Sequence, residues 1–215
     1  MRRVVAVGLC LLLSGCAHMA TYRPEYIARE LPQIQGTIEG KVLIVTEPVQ
    51  DTKVYSQHPA SMTGVAWVHR VKLGEFLSNI TLAVLSRKFK GGAEHAAEMP
   101  ESSDYRIVVR PEVLNFEYWY SQLRNLGLFI TPEARIDLYA RLYGEHGQKL
   151  WENTYQSKRI SGGGYIVSLH PQERINRAVH RALMKVVVQM ADDIEAHLRG
   201  AERAGVVVSD ASSAP

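Results

Sequence analysis

Cysteine is nearly absent from this chain: its 215 residues hold two, Cys10 and Cys16. Both stand in the first sixteen positions, so the body has no thiol for a disulfide framework, a Cys-ligated metal or a cysteine nucleophile. An excess of one charge is also missing. Twenty-five Lys and Arg face 22 Asp and Glu, a net of +3 that falls to +1 without Arg2 and Arg3. A nearly neutral body lacks the positive field of a dedicated nucleic-acid binder, and no nucleic-acid partner is expected. Long apolar runs are lacking too. The longest, Val4 to Leu13, is too short to cross a hydrocarbon core of ~30 Å as a helix. No His-Glu-x-x-His pair, Gly-x-Ser-x-Gly elbow, P-loop or Gly-x-Gly-x-x-Gly turn occurs. The eight histidines, His69, His95, His146, His170, His180 and His197 among them, show no ligand spacing. The chain therefore reads as a non-enzyme with no metal and no cofactor.

What is present begins at the N-terminus. Arg2 and Arg3 precede the apolar run, and Leu13-Ser14-Gly15-Cys16 follows it directly. A basic start, about ten apolar residues and small residues before a cut are the marks of a secretory signal. The tetrapeptide resembles the bacterial lipobox, in which the Cys thiol carries diacylglycerol and cleavage makes that Cys the first residue. The resemblance implies a covalent lipid on Cys16 as the only attached group. Two or more acyl chains give stable anchoring where one does not, at about 0.8 kcal/mol per buried methylene. Ala17 follows where an Asp would generally signal inner-membrane retention. The resemblance thus implies the outer membrane, reached through the acyl chains, with the body facing the periplasm.

The chain divides into a signal over 1–15, the lipidated Cys and a tether over 16–39, an α+β domain over 40–200 and a disordered tail over 201–215. Pro24, Pro32, Gly36 and Gly40 interrupt any period in the tether. Its 23 residues from 17 to 39 would reach about 75 Å fully extended. Lys41 to Thr46 is an apolar, β-branched run and reads as a central strand. A long connection follows over 47–66, with a brief edge pairing near Lys53 to Tyr55. Leu73, Leu77, Ile80 and Val84 space a helix within 68–90, which Gly91 and Gly92 stop.

Asp104 to Tyr120 alternates with a change of phase, placed as a bulge near Pro111, so that Leu114, Phe116 and Tyr118 share a face. Ala134, Ile136, Leu138, Ala140 and Leu142 give the cleanest period of two, and Lys149 to Lys158 returns as a hairpin partner. Pro171 opens a last helix with the apolar stripe Ile175, Val179, Ala182, Val186, Met190 and Ile194, ending near Gly200. The expected fold is a single α+β domain of order β-α-β-β-β-α: a four-stranded mixed sheet with two helices on one face. The first two strands should be parallel and the last three an antiparallel meander. This layout resembles small periplasmic auxiliary lipoproteins of envelope transport and assembly systems, and the domain related to the TolB N-terminal region. It implies an accessory or docking role, with an activator of cell-wall synthesis or a lipid or glycolipid binder as alternatives.

Two features are candidate sites. Phe116 to Ile130 places Trp119, Tyr120, Leu126, Leu128 and Phe129 beside Arg124, the composition of an interface hot spot if this hairpin tip is exposed, or core if it folds back. On the last helix Arg174, Arg177, Arg181 and Lys185 form a basic stripe that suits phosphate-bearing head groups or an acidic partner, such as an envelope protein, or is simply a solvated face. Gly162-Gly163-Gly164 reads as a flexible connector. Asp192 and Asp193 point about 100° apart and read as solvated.

Overall fold

The computed structural model describes residues 18–34, 36–59, 68–99, 104–121, 131–163 and 171–203. The expected β-α-β-β-β-α order is its backbone. Strand β2 (Val42–Val45), helix α3 (Leu73–Lys88), strands β6 (Ile107–Ser121), β7 (Thr131–Gly144) and β8 (Lys149–Gln156) and helix α4 (Pro171–Arg203) follow in that sequence. Shorter pieces lie between them: strands β1 (His18–Ala20), β3 (Tyr55–Gln57), β4 (His69–Val71), β5 (Ala93–Ala96) and β9 (Ile160–Ser161), with helices α1 (Pro24–Glu30) and α2 (Pro48–Asp51). The protein is mixed α+β with four helices and two mixed sheets among the described residues.

The main sheet has six strands, ordered β5-β2-β6-β7-β8 with β9 on β7, and not the expected four. A second sheet, β1-β4-β3, has three strands. The additions are two to four residues long, too short to show a period. β2 lies parallel to both β5 and β6, and β6, β7 and β8 form the antiparallel meander. The β2 run is buried at all four positions because it has a neighbour on each side and is covered on both faces.

Helices α3 and α4 cover one face. Leu73, Leu77, Ile80 and Val84 from α3 and all six stripe residues of α4 are buried in one core with Ala134, Ile136, Leu138, Ala140 and Leu142 of β7. The stripe is broad, because Ala178, Leu183, Val187 and Ala191 are buried beside it. α4 continues through Gly200 to Arg203, past its expected end. A mid-helix glycine costs only about 1 kcal/mol against alanine, and packing overrides it.

In β6 the bulge falls between Val113 and Asn115, not at Pro111. Val113, Phe116, Tyr118 and Tyr120 are buried, while Leu114, expected inside, is the extra residue and is 53% exposed. Pro111 pairs with Ala140 without breaking the ladder to β7. The ladder from β2 stops at Val109, so the donor that Pro111 lacks is not needed on that side.

The segment expected to be a tether is folded over its described part. β1 pairs in parallel with β4, Ala20 is buried, and the Lys72 amide donates to the Ala20 carbonyl at 3.1 Å. α1 sets Tyr26 and Ile27 into the core, and Ile38 bridges to Phe89. The prolines read as spacer punctuation include Pro24, which opens α1.

Candidate functional site

Trp119 and Tyr120 are built into the sheet rather than displayed on an exposed tip. Tyr120 is 6% exposed and its hydroxyl shares a 2.8 Å hydrogen bond with Nε2 of buried His69. Tyr118 packs edge-on to Tyr120 and against the same imidazole. Trp119 points to the opposite face, where the Arg159 guanidinium lies 3.9 Å from the ring centroid. Strand alternation separates the two residues, so they cannot form one hot spot. Arg124, Leu126, Leu128 and Phe129 lie outside the described residues, as does Cys16.

The basic stripe is partly neutralised by its own neighbours. Arg174 is half-buried against Gly163, and Arg177 donates to Glu173 at 3.1 Å while its guanidinium lies over Tyr26. Arg181 donates through Nε to Glu30 at 2.8 Å and through Nη1 to the Ser161 carbonyl at 3.3 Å. Lys185 is exposed one turn further on. Arg181 and Lys185 border a groove of about 510 Å³ between α1, β9 and α4, lined also by Glu30, Pro32, Ile160, Met184 and Val188. Its size suits a small ligand or one side chain of a partner. The sequence marked the cations but not the groove, because Pro32 and Ile160 reach it only through folding.

Beneath that groove His180 is wholly buried, stacked on Tyr22 and edge-on to Tyr26, with Nδ1 3.6 Å from Glu30. Burial pushes its pKa below the ordinary 6.5, outweighing the opposing pull of Glu30. The unfolded chain then binds the proton more readily. Stability from this site is complete above pH 6.5 and is lost as the pH falls through the lowered folded value. Urea denaturation at pH 7.5 and 5.5 should therefore show a loss, bounded at about 1.4 kcal/mol per pH unit for one group, that His180→Leu abolishes. An unchanged slope in the variant would contradict this assignment.

A second polar group sits where β2 ends. The Thr46 hydroxyl donates to Asp51 at 2.7 Å and bonds His95 Nε2, Ser78 donates to Asp51, and His95 Nε2 lies 3.5 Å from Asp51. A hydroxyl-activating relay needs the carboxylate on one imidazole nitrogen and the hydroxyl on the other. Here both meet Nε2, so the group clamps α2 between β2 and α3. No sequence spacing announces it. Among the described residues no three His, Cys, Asp or Glu side chains stand where they could hold a metal ion. Asp192 and Asp193, expected to be solvated, have separate partners: Lys88 at 2.8 Å for the first, and Tyr155 at 3.2 Å with Asn153 at 3.4 Å for the second.

With this geometry in view, comparison with known proteins yields structures only. No family model and no curated protein matches the chain. A Xanthomonas campestris protein of the DUF330 family, 12% identical, aligns over 88% of this chain and 99% of its own, with a TM-score of 0.51. The chain shares that fold. A minor lipoprotein from Acinetobacter baumannii is 13% identical over 76% of this chain and 92% of its own, at a TM-score of 0.30. The uncharacterized lipoprotein B of Nitrosomonas europaea is 14% identical over 76% and 90%, at 0.36. No helix among the described residues is long and apolar enough to cross a membrane.

Proposed function

We propose that this protein is a lipid-anchored, non-enzymatic accessory component of an envelope transport or assembly system, held on the periplasmic face of the outer membrane through acyl chains on Cys16. One observation carries the reading. The lipobox-like cysteine stands two residues before β1, so a thiol-bound lipid would place a folded domain directly on a membrane. Ala17 favours the outer membrane, and the covalent lipid is the only attached group in this account. The groove beside Arg181 and Lys185 supplies a surface for docking, with an apolar floor and cations at its margin.

That same floor favours a second reading, in which the groove holds an acyl chain of a lipid or glycolipid with its anionic head group at Lys185. Photo-crosslinking in intact cells from position 185, with Tyr139 on the sheet as control, separates the two. A discrete envelope protein captured at 185 alone supports docking. Lipid adducts alone support the second reading, and equal labelling at both positions contradicts both.

A further inference from the structure

We propose that one pole of the domain, the end where β1 begins, rests on the anionic surface of the bilayer that takes up its own acyl chains. The proposal depends on the lipid-anchored reading of Cys16. It turns on distance: one residue, Ala17, separates Cys16 from His18, so their Cα atoms are at most about 7 Å apart. The anchor therefore fixes which end of the fold faces the membrane.

The strand registers identify that end. His18 pairs with His69, and Gln57 sits opposite His69, so the starts of β1 and β4 and the end of β3 lie together. The His69 to Tyr120 hydrogen bond brings in the end of β6, where Ser121 faces Thr131 at the start of β7. β9 pairs Ser161 with Glu133, and Gly162 backs onto Arg174 in the first turns of α4.

The described surface of this pole suits phosphate head groups. Arg70, Lys158 and Arg159 are exposed there, and Arg159 is held over Trp119. Arg174 is half-buried nearby, and Met19, Arg70's cross-strand neighbour, is a 39% exposed apolar side chain. Of the carboxylates of the region, Glu173 is paired with Arg177, and Glu117 lies 3.8 Å from Arg135. Cations near an anionic bilayer are drawn to its surface, which adds orientation to the attachment the acyl chains supply. At the far pole the β7–β8 turn carries exposed Glu145, and Gly144 stands thirteen residues from Thr131 along one strand, about 43 Å away.

The test uses the full lipidated protein, its acylation verified by intact mass, in vesicles of phosphatidylethanolamine and phosphatidylglycerol. A bimane is placed by Met19→Cys or, as control, by Glu145→Cys, with a nitroxide-headgroup lipid as quencher. Quenching at position 19 should exceed that at 145 at least threefold, and Lys158→Glu with Arg159→Glu should narrow the ratio. Equal or reversed quenching in an acylated preparation overturns this orientation and leaves the anchor standing. A chain recovered from membranes with Cys16 unmodified overturns the anchoring reading and this proposal with it.

Discussion

Gly162→Ala is expected to destabilise the protein by about 3 kcal/mol, roughly 6–12 °C in Tm for a domain of this size. The glycine is buried, and its amide donates to the Pro132 carbonyl at 3.0 Å. A Cβ there would stand 1.9 Å from the Arg174 carbonyl oxygen and 2.9 Å from the Ala178 amide. Both neighbours are backbone atoms of α4, so no rotamer change relieves the clash. The variant must part β9 from the helix or tear it from β7. The residue expected to loosen a connector is thus a point of close backbone approach between the end of β9 and α4. Gly200→Ala should act in the opposite sense. Nothing lies within 4 Å of a Cβ at that helical position, and alanine there should stabilise by up to about 1 kcal/mol. Thermal melts of the two variants beside the parent check both signs. A neutral Gly162→Ala would mean that β9 does not pack on α4 as described.

Lys88→Ala should cost a similar amount, about 3 kcal/mol. Lys88 closes α3, where its charge suits the helix dipole. Its ammonium also reaches α4, 2.6 Å from Glu195 and 2.8 Å from Asp192, while its side chain is 10% exposed. Glu195, 14% exposed, also takes a 2.6 Å bond from Thr37 and pairs with Arg199. Removing the lysine leaves a largely buried carboxylate short of its main partner. Asp192 is 58% exposed, so Asp192→Asn should cost less than about 1 kcal/mol.

The acid dependence follows from the same contacts. Burial alone would raise the Glu195 pKa, but the bonds from Lys88 and Thr37 outweigh it and hold the carboxyl below its ordinary 4.5. Its stabilisation is complete above pH 4.5 and disappears as the pH falls through the lowered value. Urea titrations at pH 7 and pH 3.5 should show a smaller loss in Lys88→Ala than in the parent. An equal loss would contradict the bridge.

Where burial imposes a long period, the sequence was readable. The Val42 to Val45 run is buried on both faces of the sheet, the alternation from Ala134 to Leu142 and the stripe from Ile175 to Ile194 each turn one face inward, and all lie in the core. What escaped reading depends on partners distant along the chain. β1 and β4 are three residues each and exist through pairing with each other, and β5 exists through β2. Pro111 drew the bulge toward itself, because a missing donor is visible in sequence whereas the end of a neighbouring ladder is not. Of the candidate sites, the stripe on α4 was legible as charge. Its ion pair to Glu30 and the groove beside it were not, since Glu30 belongs to the stretch expected to be a tether.

That stretch joins the anchor to the fold. If β1 begins two residues after the anchor, the domain has no spacer and its orientation on the membrane is determined by its fold. The most direct measurement is mass spectrometry of the N-terminal peptide of the mature protein purified from membranes. The expected peptide begins at Cys16 and carries a thioether-linked diacylglycerol. A mature N-terminus elsewhere, or an unmodified Cys16 in a chain released with the soluble fraction, would contradict it.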